Sequence, residues 1–518
     1  MKILLLPFLF AVVSPCSAAD SPNVVVILVD DMGFSDIGCY GSEIPTPHLD
    51  ALAADGLRFS QCYNTGRCCP TRAALLTGLY PHQAGVGRMT EDQGLPGYAG
   101  RLSDQCQTIS ERLRPGGYFT AFSGKWHVGQ NLGVTPWGRG FDRSLNAAAG
   151  GFYYPESSKA TLFLNGEQVA NDDPRLLQDW YATDLWTDQG LKFIDEARAA
   201  GKPFYLHLCY NAPHFPLQAP EESIAKFRGT YREGWDVIQQ RRLARQIESG
   251  LIDASWSPAP RPTDVPAWDS LSNEERDRFD HLMAVYAACV YEMDLGVGRL
   301  VEGLRERGVL DNTLLLFMSD NGGNAESGPK GKSEGDPTQA SSNWFCGEGW
   351  AYAQNTPFRL YKHYNHEGGI ATPLIAHWPK GIAAKHEIRT QPVHVIDIAA
   401  TVCEAAGIKA EGLAGISLLP AFRDEALARE ALYWEHEGNA AVRAGDEKLV
   451  RQGAAGTWEL YDLKADRTES HNLAVERPER VAALNAMWQS WAERCQVLPR
   501  PQPGKKKKGA RKKGEAAE

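Results

Sequence analysis

The sequence lacks metal-binding or disulfide-framework cysteine motifs and an excess of positive charge, and each absence argues against one class of protein. The 11 cysteines include no Cys-x-x-Cys pair and no framework spacing, which argues against a structural zinc motif or a disulfide scaffold. The chain also has no excess of positive charge, since its formal net charge is −10, and this argues against nucleic acid as the main partner. The spacing leaves open which cysteines pair, and no feature of the sequence defines the oligomeric state.

Long apolar runs are also absent after the first 20 residues, so we expect no transmembrane segment. Residues 1–19 have the pattern of a secretory signal peptide: Lys2 precedes a short apolar run, and Ser17-Ala18-Ala19 is a small-residue cleavage site. This signal predicts an exported protein, periplasmic or extracellular. Cys16 leaves lipid attachment as an alternative, although Pro15 stands where a small residue would be expected.

The sequence does contain a regular alternation of apolar runs with helical patterns. Residues 23–29 form a nearly continuous β-branched run, typical of a strand buried on both faces. Strands are predicted at residues 23–29, 57–63, 117–124, 203–210 and 314–319, and helices at residues 47–54, from Cys68 onward, at 108–113, at 180–199 and within 273–308. The alternation predicts an α/β fold with a doubly wound sheet.

After residue 420 the pattern changes to short strands. An antiparallel meander is predicted from residues 431–434, 440–443, 447–451 and 457–462, followed by a helix at 478–495. The predicted organisation is a signal peptide at residues 1–19, a main α/β domain at 20–420, a smaller α+β domain at 421–498 and a basic, disordered tail at 499–518.

Two long segments, residues 211–270 and 322–356, lack a regular pattern. Such segments in compact proteins usually form lids or binding loops. The second contains Trp344 and Trp350 and is the expected substrate-selecting lid. Core packing remains the default role for most of the 14 tryptophans.

Polar residues follow several of the predicted strands. Those with the hardest ligand atoms are Asp30, Asp31, Asp320 and Asn321. A single Asp pair can be a turn or a helix cap, but parallel strands end at one edge of a sheet, where ligands bind. Their oxygens suit Ca²⁺ or Mg²⁺ better than zinc.

Cations and histidines accompany these oxygens. Arg72, Lys125 and Lys362, together with a divalent ion, predict a site for a multiply charged oxyanion. His127 and His214 are candidates for proton transfer. An isolated histidine after a strand is more often structural, so their shared position at one sheet edge carries the prediction.

Cys68 opens a turn-to-helix stretch in which Pro70 suits a first helical turn. A helix N-terminus favours negative charge, so Cys68 could be a reactive thiol, part of an anion site, or a buried small residue. Soft sulfur is a poor neighbour for a hard metal ion. An oxygen nucleophile would fit this site better.

The stretch Cys68-Cys69-Pro70-Thr71-Arg72 resembles the Cys-x-Pro-x-Arg signature of the formylglycine-dependent type I sulfatases. The similarity continues through Leu76-Thr77-Gly78 and Tyr80-Pro81-His82 and covers about residues 22–497. Further motifs follow in the family's order: Asp30-Asp31, Gly124-Lys125-Trp126-His127, Asn211-Ala212-Pro213-His214, Asp320-Asn321-Gly322 and Glu367-Gly368-Gly369. The resemblance implies an alkaline-phosphatase-like doubly wound mixed sheet with a smaller C-terminal domain.

The resemblance also implies roles for these residues. Cys68 would be oxidised by a formylglycine-generating enzyme to Cα-formylglycine, whose hydrate attacks sulfur and forms a covalent sulfated intermediate. One calcium ion would be bound by Asp30, Asp31, Asp320, Asn321 and residue 68. Arg72 would hold the hydrate, and His127 would take the proton that collapses the intermediate. Lys125 and Lys362 would bind sulfate oxygens, and His214 would protonate the leaving alcohol.

Residues 355–362 and 366–369 look most like bacterial arylsulfatases, which implies an aryl sulfate or sulfated carbohydrate as substrate. Cys69 occupies a variable position of the signature, commonly Ser. His207 and His363 match no family role and are expected to be structural. Three alternatives remain open: a phosphonate or phosphate ester hydrolase of the same superfamily, a secreted binding protein with an inactive site, and a cysteine hydrolase using unmodified Cys68.

Overall fold

The computed structural model describes residues 21–501. The predicted signal peptide, including Cys16, and nearly all of the predicted basic tail lie outside these residues. Within them, no helix combines the length and the apolar character that a membrane span requires.

A mixed sheet of 11 strands forms the centre of the protein, in the order β12-β2-β11-β8-β1-β7-β3-β4-β5-β6, with β13 also paired to β2. Strands β8, β1, β7, β3 and β4 are parallel, and β11 runs against its neighbours β8 and β2. The strands are β1 Asn23–Val29, β2 Leu57–Tyr63, β3 Phe119–Lys125, β4 Arg143–Ala147, β5 Leu162–Leu164, β6 Glu167–Val169, β7 Phe204–Cys209, β8 Thr313–Ser319, β9 Lys332–Glu334, β10 Asn343–Phe345, β11 Ala371–His377, β12 Glu387–Arg389 and β13 Val393–His394. Strands β9 and β10 form a separate hairpin.

Helices cover both faces of this sheet, as the β-branched runs require. In β1, Val25 and Ile27 pack on one face with α1, α4 and α7, while Val24 and Val26 pack on the other with α2, α3 and α10. The helices are α1 Pro47–Ala54, α2 Cys68–Thr77, α3 Ile109–Leu113, α4 Ala182–Ala199, α5 Glu221–Phe227, α6 Trp235–Glu248, α7 Asn273–Glu306, α8 Glu348–Gln354, α9 Glu367–Ile370, α10 Asp397–Ala405, α11 Leu419–Phe422 and α12 Pro478–Arg494.

The C-terminal part has the predicted meander. A four-stranded antiparallel sheet, in chain order, consists of β14 Leu432–His436, β15 Asn439–Ala444, β16 Glu447–Arg451 and β17 Glu459–Asp462. Helix α12 packs on β15 and β16 through Trp488 and Trp491. The smaller α+β unit is therefore confirmed, while its boundary at residue 420 stays a prediction.

The prediction that residues 211–270 and 322–356 are irregular is wrong in part. Helices α5 and α6 lie in the first segment, and α8 and the β9–β10 hairpin lie in the second. Helix α6 was not predicted because its buried face includes Gln239, Arg242 and Gln246 beside Trp235 and Ile238, so few apolar residues mark that face. In α8 all seven residues are buried, which also removes the polar face that marks a surface helix.

Candidate functional site

Six segments bring polar side chains to one edge of the central sheet. Strands β1, β2, β3, β7 and β8 point the same way, so their carboxyl ends meet there, and antiparallel β11 contributes the loop before its start. The predicted site residues at this edge are Asp30, Asp31, Cys68, Arg72, Lys125, His127, His214, Asp320, Asn321 and Lys362. Open α/β sheets bind ligands at this edge.

Arg72 and Lys125 connect two of the carboxylates. The Arg72 guanidinium donates to Asp320 Oδ2 through Nη2 (2.8 Å) and Nε (3.1 Å), and lies 3.5 Å from Asp30 Oδ2. Lys125 Nζ donates to Asp30 Oδ2 at 2.5 Å. Burial acts to raise the pKa of Asp30, but Lys125, and after it His214 and Arg72, hold that pKa well below its ordinary value. Burial and the charge of Asp30 raise the pKa of Asp320.

Asp31 joins the other half of the site. Its carboxylate accepts from Lys362 Nζ (2.8 Å) and from Asn321 Nδ2 (2.7 Å), and its Oδ2 lies 3.6 Å from His214 Nε2. The Asp31 N–H donates to Asp320 Oδ1, which connects the ends of β1 and β8. Because the Phe215 carbonyl faces His214 Nδ1 at 2.5 Å, the Nε2 side of that ring points into the site.

Cys68 is the first residue of α2 and is 1 % exposed. Its Sγ lies 3.5 Å from His127 Nδ1. A hydrogen bond with the Cys69 thiol, followed by Lys125 and His127, lowers the pKa of Cys68 well below its ordinary value, whereas burial raises that of Cys69. All ten cysteines in the described part of the chain are unpaired. Position 68 therefore favours an anionic group.

Two buried oxygen atoms at this edge lack hydrogen-bond partners among the described residues. Asp30 Oδ1 and Asn321 Oδ1 are buried, and neither has a hydrogen-bond partner among residues 21–501. A buried unpaired acceptor is unfavourable by about 1–3 kcal/mol, and these two oxygens, with Asp31 and Asp320 beside them, are available to bind a cation. Oxygen donors of this kind suit Ca²⁺ or Mg²⁺. The residues fit the predicted ion.

Sequence reasoning missed residues that border this site. Glu326 pairs with Arg67 (2.6 Å), Lys362 (3.2 Å) and His363 (2.9 Å). The expectation that His363 is structural stays a prediction, although its side chain lies in the same charged group as Lys362. Arg67 directly precedes Cys68, which was an available signal, but Glu326 lies in a Gly- and Ser-rich segment with no recognisable motif. His207, by contrast, lies buried in β7 and stacks on Phe122.

The predicted lid, residues 322–356, approaches the site through Phe345 and not through its two tryptophans. Trp344 and Trp350 are buried in the core. Phe345, between them in β10, stacks on Phe215 at 4.2 Å, and Phe215 stacks on His214 at 4.2 Å. The Phe345 and Phe215 rings therefore form an apolar wall beside the proton-transfer candidate.

The chain is similar in sequence to known proteins. The Sulfatase family model matches residues 22–408, and the model for the N-sulphoglucosamine sulphohydrolase C-terminal region matches residues 358–494. The chain is 35% identical to an arylsulfatase of Klebsiella aerogenes over 75% of this chain and 87% of that protein. It is 34% identical to an uncharacterized sulfatase of Schizosaccharomyces pombe over 93% of this chain and 95% of that protein.

Solved structures give the same fold. The crystal structure of Ps i-CgsB in complex with k-i-k-neocarrahexaose superposes with a TM-score of 0.68 at 27% identity, covering 93% of this chain and 98% of that one. A phosphonate monoester hydrolase of Agrobacterium radiobacter superposes with a TM-score of 0.59 at 18% identity, covering 92% and 96%. The second likeness concerns the fold alone, which is of the alkaline-phosphatase type.

Proposed function

Because this chain belongs to the sulfatase family and is an enzyme that hydrolyses sulfate esters, we propose that it is an exported hydrolase of aryl sulfates or sulfated carbohydrates. Its working form would carry formylglycine at position 68 and one calcium ion. The observation that carries this proposal is the convergence, around buried Cys68, of hard oxygen ligands, three cations and two histidines.

Calcium would be held by Asp30, Asp31, Asp320 and Asn321, with residue 68 as a further ligand. The bound ion would supply a fixed positive charge for an oxyanion. The three carboxylates are matched by the cations Arg72, Lys125 and Lys362, so the site as it stands is close to neutral. A divalent ion adds two charges, which a sulfate ester and a developing oxyanion would balance.

Formylglycine, made from Cys68 by a formylglycine-generating enzyme during maturation, would supply an oxygen nucleophile once hydrated. The chain's own residues prepare that position. Arg72, one turn further along α2, holds its guanidinium between Asp30 and Asp320 and donates through Nη1 to the Lys125 carbonyl at 2.8 Å. His127 Nδ1 faces residue 68 at hydrogen-bonding distance from its Sγ. A proton leaving residue 68 therefore has an acceptor in place.

Sulfate binding would fall to Lys125 and Lys362. Both ammonium groups are buried, and their neighbouring carboxylates keep them charged: burial opposes the charge, but Asp30 raises the pKa of Lys125, and Asp31 raises that of Lys362. In-line displacement at sulfur builds negative charge on the leaving oxygen, opposite the nucleophile. His214 Nε2, oriented by the Phe215 carbonyl, is the acid candidate on that side.

Replacing His214 with alanine should slow cleavage in proportion to the basicity of the leaving group. General acid catalysis accelerates a reaction by about 10²–10⁴-fold. A sugar alcohol needs this acceleration because it is a poor leaving group, whereas 4-nitrophenolate leaves readily without it. We expect kcat/KM for a sulfated sugar to fall by about 10²-fold or more, with a much smaller loss for 4-nitrophenyl sulfate. Equal losses on both substrates, measured as sulfate release, would contradict the acid role.

The reaction class itself is tested against its nearest rival. The phosphonate or phosphate ester hydrolase of the same superfamily shares this fold, so fold does not separate the two. We expect kcat/KM for an aryl sulfate to exceed that for the matching aryl phosphate and phosphonate. This expectation rests on the sulfatase family match and on the similarity to an arylsulfatase. A preference for the phosphorus esters would overturn the proposal.

A further inference from the structure

A second cluster of metal-ligating side chains lies beside the proposed sulfate pocket. His436 is the last residue of β14, and Glu437 begins the two-residue turn into β15, with positive φ at Glu437 (49°) and Gly438 (94°). His363 lies in the loop before α9. One ligand atom from each of His363, His436 and Glu437 lies within 4.8 Å of the others.

The backbone of this cluster is fixed on both sides. Asn439 Nδ2 donates to the His363 carbonyl at 3.0 Å, and the His363 N–H donates to the Gly66 carbonyl at 2.9 Å. The turn and the loop are thus held together independently of the three side chains. A ligand bound between those side chains would find them already positioned.

The unpaired, buried side chain of His436 points to a bound ligand. Its side chain is fully buried, yet neither ring nitrogen has a hydrogen-bond partner among the described residues. Buried polar groups are normally paired, and an unpaired one is unfavourable by about 1–3 kcal/mol. Burial, and next the charge of Arg67, lower the pKa of His436 to about 4, so the neutral, metal-binding form prevails near neutral pH.

The other two residues have the outer contacts that metal ligands usually show. His363 Nε2 lies 2.9 Å from Glu326 Oε1, and Glu437 Oε1 accepts from Arg88 Nε at 2.7 Å. These contacts leave His363 Nδ1 and Glu437 Oε2 facing each other at 3.8 Å. Arg67 Nη1 contacts both nitrogens of the His363 ring, at 3.4 Å from Nδ1, so its side chain would have to move aside for a cation. Glu326 pairs with Arg67 as well as with Lys362 and offsets part of this positive charge.

We propose that His363, His436 and Glu437 bind a zinc-type transition-metal ion next to the sulfate pocket. Two imidazole nitrogens and one carboxylate form a donor set that suits Zn²⁺, whereas the all-oxygen set at Asp30 suits Ca²⁺. Bonds of about 2.0–2.1 Å to such an ion would need the ligand atoms to draw together modestly. The inference does not depend on the proposed function.

Zinc binding is measured on the full chain with Cys68 replaced by alanine, because Cys68, Cys69 and His127 also lie close enough to bind a soft ion. The protein is stripped with chelator, supplied with calcium, dialysed against zinc chloride and analysed for bound metal. We expect one zinc per chain and a zinc-dependent rise in Tm. Protein that holds no stoichiometric zinc would overturn the proposal.

Substitutions of the proposed ligands test whether zinc binds at this cluster. His436→Ala should lose the bound zinc, and Glu437→Gln, at a half-exposed turn position that tolerates change, should weaken binding by at least about tenfold. His471→Ala is the matched control, since this histidine is exposed and lies 3.8 Å from Glu476, away from the cluster. Unchanged zinc binding in Glu437→Gln, or equal loss in His471→Ala, would refute the site even if His436→Ala fails to fold.

Discussion

Replacing Cys68 with alanine should lower kcat/KM for sulfate release by at least about 10⁴-fold, because loss of a nucleophile removes most of an enzyme's rate enhancement. The change deletes one atom, the sulfur, at a buried position, and the proposed oxygen ligands Asp30, Asp31, Asp320 and Asn321 stay in place. We therefore expect the variant to fold and to keep a calcium-dependent rise in Tm. Activity assays and thermal unfolding with and without chelator measure the two results.

Cys69→Ser is the matched control, since it removes the neighbouring buried thiol at the variable position of the signature. It should keep activity within a few-fold of the parent chain. Retained activity in Cys68→Ala would refute the assignment of the nucleophile. Loss of calcium-dependent stabilisation in that variant would show that residue 68 dominates metal binding instead of adding to four oxygen ligands.

Mass spectrometry of the peptide that contains position 68 separates formylglycine from a plain cysteine hydrolase. The lowered pKa of the Cys68 thiol makes a thiolate nucleophile chemically reasonable. Conversion to formylglycine in active protein, made with its maturation machinery, is the expected result. Active protein with only a thiol at this position would favour the cysteine hydrolase. Modified protein without sulfate release would favour the inactive binding protein.

Glu367→Gln should destabilise the protein by about 3–5 kcal/mol, the usual effect of removing one partner from a buried ion network. Glu367 accepts from Lys448 Nζ (2.9 Å), Arg467 Nε (2.7 Å) and the Tyr63 hydroxyl (2.9 Å), and the charged partners are fully buried. The neutral amide would leave Lys448 with Glu469 as its remaining carboxylate and would remove the carboxylate that pairs with Arg467. Urea unfolding of both chains gives the free energy difference.

Acid should remove the same stabilisation from the unchanged protein. Burial opposes ionisation of Glu367, but Lys448 and Arg467 lower its pKa from 4.5 to about 2. A lowered carboxylate pKa stabilises the fold above pH 4.5, and this contribution is lost as the pH falls from about 4.5 to about 2. The Gln variant should lack this part of the acid sensitivity.

Glu196→Gln is the matched control for this network. The Glu196 and Arg143 side chains are both more than a third exposed and pair at 2.6 Å, so the loss of this carboxylate should change the free energy of unfolding by less than about 1 kcal/mol. Equal effects of the two substitutions would show that the Glu367 network contributes no more than a surface pair.

Local patterns predicted five of the 11 strands of the central sheet, β1, β2, β3, β7 and β8, and the polar residues that follow them. The apolar runs at β1, β7 and β8 are long and uninterrupted, and their polar ends fall at one edge whatever the details of the loops. The predicted fold class is confirmed, and the predicted site residues lie together at that edge, while their individual roles stay predictions.

Residues whose role depends on distant partners were not predictable. Glu367 belongs to the motif Glu367-Gly368-Gly369, but its partners Lys448 and Arg467 lie 81 and 100 residues away along the chain. No local sequence pattern relates these three residues. The same holds for His363 and His436, which the β14–β15 turn brings together. In α6 three of the five buried residues are polar, so the apolar stripe that marks a buried helix face is narrow.

The burial of Cys68 limits the period during synthesis and folding in which another enzyme could reach its thiol. In the finished fold its thiol is 1 % exposed, and Arg72 beside it is bonded to Asp320, 248 residues further along the chain. On the proposed maturation route, a modifying enzyme would therefore have access only before that contact closes. At about 5–20 residues per second of synthesis, the interval between the emergence of the two residues is roughly 12–50 s, and the proposed conversion of Cys68 would have to be complete on that scale or before final folding.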